Sequence, residues 1–163
     1  MLHLLQIYPE TRADGEGIRF AIYLSGCNHY CKGCHNPESW NPTAGTLLTD
    51  EMMTDIIQQI NRNPLLDGVT FSGGDPFFNP TDFLYFIRRV KEETNQSIWC
   101  YTGYTLEELE EDSIRRIILP YIDVLIDGKY IEEQYSPFIS FRGSTNQRIL
   151  KLKEGKKVQE LNI

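Results

Sequence analysis

What most constrains the fold is an alternation of four short apolar runs, the first three each followed by a helical pattern. Apolar residues fall at every second position at Ile18, Phe20, Ile22 and Leu24, the period of a strand. Gly68-Val-Thr-Phe-Ser72, Ile98 to Tyr101 and Ile122 to Asp127 are further runs. The last has almost no polar face, as expected of a strand covered by helices on both sides. Thr49 is placed to cap a helix with Asp50 and Glu51 in its first turn and Met52, Met53, Ile56, Ile57 and Ile60 as its apolar stripe. Asn79-Pro80 opens a second, cap before proline, with Phe83, Phe86, Ile87 and Val90 inward. Thr105 and Glu108 make a capping box for a short helix. Ser113 is read as the start of another, with Ile114, Ile117 and Ile118 inward and Pro120 as its stop. The segment from Ile139 to Leu152 is expected to add strand. Strands alternating with helices imply parallel pairing through right-handed crossovers. A closed eightfold barrel takes about 250 residues, more than the 163 present. The expectation is therefore an α/β chain, residues 1–163 in a single domain, forming a partial, open (β/α) barrel with a mostly parallel sheet.

In such folds ligands gather at the carboxyl ends of the strands. Cys27-Asn-His-Tyr-Cys31-Lys-Gly-Cys34 follows the first run, Gly73-Gly74-Asp75-Pro76 the second, Thr102-Gly103 the third and Asp127-Gly128-Lys129 the fourth, so all four loops fall on one rim. Three thiols within eight residues, with no obvious fourth, suggest a metal centre with an open coordination position. A 4Fe-4S cube takes one cysteine per iron, and three cysteines leave one iron free. Zinc is the rival, since His29 or His35 would complete a tetrahedron with the three thiolates. Spacing alone does not separate the two. Cysteines this sparse and this close together do not suit a disulfide framework. Cys100, inside the apolar run Ser97 to Tyr101, reads as a small buried hydrophobe. A structural zinc knuckle has no need of a glycine pair and an Asp/Lys pair on its rim. A cluster that binds a small molecule does, because paired glycines let backbone approach a ligand.

A formal charge of −7 argues against a nucleic-acid footprint. The one short basic stretch, Lys151-Leu-Lys-Glu-Gly-Lys-Lys157, is read as a solvated tail. Met1-Leu-His-Leu-Leu is too short for a signal peptide, and no apolar run approaches the ~20 residues that span a bilayer. The expectation is a cytoplasmic protein, engaging neither membrane nor nucleic acid, with its thiols reduced.

The cysteine spacing and the Gly-Gly-acidic turn together resemble the radical S-adenosylmethionine superfamily. Within it, Asp14-Gly-Glu-Gly-Ile-Arg19, the segment Gly26 to Trp40, Phe71-Ser-Gly-Gly-Asp-Pro76, Ile126-Asp-Gly-Lys-Tyr130 and Arg142-Gly-Ser-Thr-Asn-Gln-Arg148 are similar to the activating proteins of anaerobic ribonucleoside-triphosphate reductases. The similarity runs from about Tyr8 to Arg148, and the last stretch narrows it to this subgroup. It implies a partial barrel of the radical S-adenosylmethionine type. It also implies that Cys27, Cys31 and Cys34 hold three irons of a 4Fe-4S cluster while the fourth binds the amino and carboxylate groups of S-adenosylmethionine. One-electron cleavage then gives methionine and a 5'-deoxyadenosyl radical. The implied cofactor-binding residues are Gly33, Cys34, His35, Gly73, Gly74, Asp75, Asp127 and Lys129. Gly73 and Gly74 would offer backbone to the methionyl amino end, with Asp75 assisting there or serving only as a cap. Asp127 and Lys129 are set against the ribose and carboxylate, with a structural ion pair as the competing role. Gly33 stands where the superfamily often has an aromatic residue that seats the adenine. His29 is expected to face solvent. Arg19 and Arg142 serve the partner or a ligand carboxylate unless they sit in surface pairs, and Tyr101, Tyr104 and Tyr130 line the rim unless they pack in the core. The implied partners are the large subunit of the reductase, through a glycine near its C-terminus, and an electron donor such as a flavodoxin-like protein. Activases of other glycyl-radical enzymes and small-substrate members would share the cluster but not the Arg142 to Arg148 stretch. Outside the class stands a zinc-stabilised binding module without catalysis.

Overall fold

The computed structural model describes residues 1–163, organised around one eight-stranded sheet. Its strands are β1 (His3–Thr11), β2 (Arg19–Leu24), β3 (Thr46–Leu47), β4 (Gly68–Gly73), β5 (Ile98–Tyr101), β6 (Val124–Asp127), β7 (Arg148–Lys153) and β8 (Lys156–Leu161). They lie in the order β3-β1-β2-β4-β5-β6-β7-β8, and the sheet does not close. The central strands β2, β4, β5 and β6 are parallel, as the strand-helix alternation requires. The flanks are antiparallel, so the expectation of a mostly parallel sheet is corrected: three pairings are parallel and four antiparallel. Neither flank carries a crossover helix. β7 turns directly into β8 at Glu154-Gly155, whose φ angles of 54° and 81° suit a two-residue hairpin turn. The stretch read as a solvated tail is therefore this hairpin, with Leu152 buried and its lysines outward.

Three α-helices cover the sheet: α1 (Asp50–Arg62), α2 (Pro80–Thr94) and α3 (Leu106–Glu111). Their starts follow the capping chemistry. Thr49 Oγ1 accepts from the Met52 amide at 3.2 Å, Asn79 from Asp82, and Thr105 with Glu108 forms a reciprocal box. Phe83, Phe86, Ile87 and Val90 of α2 are fully buried, and Phe71 of β4 meets Phe83 and Phe86 edge-on at 5.2 and 5.6 Å. The segment after α3 departs from expectation. It is a 3₁₀ helix, Arg115–Tyr121, headed by Asp112, whose carboxylate accepts from the Ile114 and Arg115 amides. At three residues per turn, positions i and i+3 eclipse. Ile114 and Ile117 consequently share the outer side, 48% and 51% exposed, while Ile118 and Leu119 are buried, and Pro120 lies inside the element rather than stopping it. No helix is long and apolar enough to cross a membrane.

Candidate metal and cofactor site

The carboxyl ends of the four parallel strands open on one cavity of about 260 Å³. Cys27, Cys31 and Cys34 line it from the loop after β2, Gly73 and Gly74 from the end of β4, Thr102 and Gly103 from the loop after β5, and Gly128 from that after β6. The convergence read from the sequence is thus a physical cavity. No three His, Cys, Asp or Glu side chains meet at a single ion-sized point. Three thiols on the wall of one cavity, with no fourth cysteine beside them, suit a cube that takes one cysteine per iron and leaves one iron open.

Cys27 is buried, and burial pushes its thiol up to about 11 against the opposing main-chain amide of His29. Burial raises the Cys31 thiol as well. Both are protonated near neutral pH in the metal-free chain and release protons when they bind metal. Cys100 is fully buried in the main core, and burial holds its thiol far above the ordinary range, the environment of an inert thiol.

The glycine pair answers first to packing. Gly73 has φ +114°, and a Cβ there would strike the main chain of Leu24. A Cβ on Gly74 would come within 2.5 Å of the Gly26 carbonyl oxygen and 2.7 Å of that of Ser39. The Gly74 amide donates to Leu24 O at 2.8 Å, Asp75 N to Gly26 O at 2.8 Å and Gly26 N to Ser39 O at 2.7 Å. The turn and the cysteine loop are therefore laced together by main chain. Gly74→Val is expected to displace that loop, at a cost of about 2 kcal/mol for overpacking, and to reduce the iron and sulfide retained per chain. Full cluster content in the purified variant, with only S-adenosylmethionine affinity lost, would instead assign the glycine to ligand approach.

The other expected site residues fall into two groups. His35 lines the cavity, its ring 5.3 Å from that of Tyr130 and 6.3 Å from that of Tyr135. Tyr101 and Tyr130 also line it, whereas Tyr104 packs edge-on against His29 at 4.7 Å. Gly33, Asp75, Asp127 and Lys129 lie outside the lining. Gly33, at φ +77°, packs under the side chain of Glu132. Asp75 is buried and caps the short 3₁₀ turn Pro76–Phe78. Asp127 is buried too, with Oδ1 accepting from Arg148 Nε at 3.0 Å and Oδ2 from Arg148 Nη2 at 2.6 Å and the Leu106 amide at 2.8 Å. That is the structural ion pair, made with Arg148 rather than Lys129. Lys129 is exposed, and its carbonyl accepts from Asn146 Nδ2 at 2.8 Å.

His29 does not face solvent. Its side chain is 6% exposed and its Nε2 donates to Asp75 Oδ2 at 2.6 Å, because Asn28 and Tyr30 turn outward and leave His29 to turn in. Arg19 is not in a surface pair either: it is buried at the opposite ends of the parallel strands, where only main-chain and hydroxyl oxygens accept its protons. Arg142 donates to the main-chain oxygens of Ser140 and Ile163. The rest of the Arg142 to Arg148 stretch fastens the loop after β6. Gln147 Oε1 accepts from the Gly143 and Ser144 amides at 2.9 and 3.1 Å, its Nε2 donates to Gly128 O at 3.0 Å, and Ser144 Oγ accepts from the Ile131 amide at 3.1 Å. The sequence reading missed Asn36, Trp40, Ser72, Gly143 and Gln147 as lining residues, and His29, expected in solvent, lines the cavity as well. Each had a signal, since each lies inside a stretch already singled out.

Residues 13–150 match the family model of the 4Fe-4S single cluster domain. The anaerobic ribonucleoside-triphosphate reductase-activating protein of Haemophilus influenzae is 46% identical over 156 residues, covering 93% of this chain and 99% of that protein. The chain belongs to this family of activating proteins. The bearer of that name in Escherichia coli is 36% identical, over 87% of this chain and 94% of its own length. The one from Enterobacteria phage T4 is 33% identical over 88% and 90%. The activating-protein family thus spans nearly the whole sheet, including the cysteine loop, the glycine turn and the Arg142 to Arg148 stretch.

Proposed function

We propose that this chain activates an anaerobic ribonucleoside-triphosphate reductase as a radical S-adenosylmethionine enzyme, folded as one domain over residues 1–163 in the partial-barrel form of that class. The observation that carries the reading is the single cavity that joins the thiols of Cys27, Cys31 and Cys34 to the main chain of Gly73 and Gly74. The three thiolates would hold a 4Fe-4S cluster, with S-adenosylmethionine at the iron they leave free. When bound, these groups supply a one-electron cleavage that yields methionine and a 5'-deoxyadenosyl radical. The chain's own part is to bind, orient and exclude water. Gly73, Gly74, Cys34 and His35 face the cofactor, together with Thr102 and Gln147. Gly33, Asp75, Asp127 and Lys129 act from behind the lining, by shaping the loops that carry it. The open sheet leaves room for a loop of the partner. That partner is the large reductase subunit, whose glycine near the C-terminus receives the radical, and the electron arrives from a flavodoxin-like donor in the cytoplasm. The net negative charge suits a protein partner better than a phosphate-rich one.

The test is direct. Incubated without oxygen with dithionite, S-adenosylmethionine and the reductase, the cluster-loaded protein is expected to release methionine and 5'-deoxyadenosine and to produce a glycyl-radical resonance on the reductase. Cofactor cleavage without any reductase radical, but with turnover of a small purine-like molecule, would keep the superfamily chemistry and reject the activating role.

A further inference from the structure

Three walls of the cavity meet at one buried carboxylate. Asp75, 2% exposed, accepts from the Phe77 amide at 2.9 Å, from Thr102 Oγ1 at 3.0 Å to each oxygen, from the Gly103 amide at 3.0 Å and from His29 Nε2 at 2.6 Å. His29 fills the space that Gly103 leaves, where a Cβ would come within 2.5 Å of the ring. The other side of the arrangement is equally fixed. Tyr104, edge-on to His29, lies 4.9 Å beneath the guanidinium of Arg115, whose Nε donates to Phe77 O at 2.8 Å.

The loop that His29 occupies has little else to fix it. Asn28, His29 and Tyr30 make no main-chain hydrogen bond to another main-chain group, and the side chains of Asn28 and Tyr30 are exposed. Besides the His29 amide on the Cys27 thiol and the edge-on contact of Tyr30 with Trp40 at 5.3 Å, what anchors the chain between Cys27 and Cys31 to the rest of the fold is one imidazole reaching one carboxylate. That carboxylate follows directly on Gly73-Gly74 and also gathers the Thr102-Gly103 loop.

We propose that His29 is a positioning residue, which locks the loop carrying Cys27 and Cys31 to the Gly73-Gly74 turn through Asp75 and so holds the cluster and the cofactor-facing main chain in fixed register. The proposal rests on the function given above for what the register serves, and on the structure alone for the lock itself. Removing the imidazole leaves no orphan, because Asp75 Oδ2 keeps Thr102 and Gly103. His29→Ala is accordingly expected to fold.

The first measurement uses the metal-free protein. Cys27 is 8% exposed, so it alkylates slowly through the cavity while its loop is closed and faster when the loop opens. His29→Ala is expected to speed alkylation of Cys27 by iodoacetamide, read by mass spectrometry, by about tenfold, the scale of one lost hydrogen bond to a charged group, with the unfolding midpoint lowered by only about 5 °C. Loaded anaerobically, the variant is expected to hold the wild-type complement of iron and sulfide but to bind S-adenosylmethionine about tenfold more weakly. His29→Gln, whose amide N–H can reach the same carboxylate, is expected to recover part of both losses. Gly103→Ala, which drives a methyl group into the ring without changing its chemistry, is expected to reproduce them. Wild-type Cys27 reactivity in both His29→Ala and Gly103→Ala overturns the lock. Faster alkylation with unchanged cofactor affinity overturns the register. A wild-type protein that holds the cluster yet binds no S-adenosylmethionine rejects the proposed function, and alkylation then still decides the lock.

Discussion

Alanine at Cys27, Cys31 or Cys34 is expected to abolish cluster assembly, whereas Cys100→Ala retains about four irons and four sulfides per chain. The contrast follows from where the thiols lie. The first three line the cavity at the carboxyl ends of the parallel strands, and no other cysteine does, so the loss of one leaves an iron without a ligand. Cys100 sits on β5 in the main core with its thiol held protonated by burial. Its replacement removes one sulfur atom from a packed interior, at a cost of about 1 kcal/mol. Anaerobic reconstitution followed by iron, sulfide and zinc assays, with the visible absorbance followed on admission of air, reads all four variants. Stoichiometric zinc without sulfide in the wild-type protein would reject the cluster reading. Iron loss in Cys100→Ala would show that the fourth thiol is a ligand after all.

Much of this architecture was legible because local signals and packing agree. The caps at Thr49, Asn79 and Thr105 each precede an apolar stripe, and each begins a helix. The four apolar runs became the four parallel strands because strands covered on both faces are continuously apolar. The flanking strands lack that signature. β1 is half-exposed and β8 almost wholly so, and a strand with one face in water reads like a polar segment until its partner is known. The site divides in the same way. Residue type and spacing revealed the thiols and the glycine turn, which are close in sequence. The roles of Asp75, Asp127 and His29 depend on partners 21 to 46 residues away, which no local pattern encodes. Asp127 and Lys129 looked like a pair because they are two residues apart, yet on a strand end it is the neighbouring strand β7 that supplies the cation, Arg148.

Arg19→Met is expected to lower stability by about 3 kcal/mol, or Tm by roughly 10 °C for a chain of this size, and to leave S-adenosylmethionine affinity unchanged. Arg19 is 2% exposed at the amino ends of the parallel strands, opposite the cavity. Its Nη2 donates to Ser97 O at 2.8 Å and Val69 O at 3.0 Å, its Nη1 to Glu16 O at 3.1 Å and its Nε to Thr70 Oγ1 at 2.9 Å, with the guanidinium 5.3 Å from the centre of the Trp99 ring. Burial lowers its pKa to about 10, a sign that desolvation of the cation outweighs the pull of Asp67, Asp123 and Glu16. A buried ion pair can be exchanged for apolar side chains at little cost, because both charges leave together. Here the acceptors are carbonyl oxygens of the sheet and its loops, which remain when the arginine goes. Methionine matches the stem but removes the donors: Ser97 O keeps the Val69 amide at 2.8 Å and Thr70 Oγ1 keeps its bond to Asp14 O at 2.8 Å, so the loss falls on the remaining acceptors, each buried orphan costing about 1 to 3 kcal/mol. Arg19→Lys is expected to recover only part of the loss, since an ammonium lacks the planar fork that reaches several acceptors at once. Thermal unfolding of the metal-free variants, with cofactor binding measured after anaerobic loading, separates the two roles weighed for this residue. A wild-type Tm combined with failure to activate the reductase would move Arg19 from the fold to the partner surface.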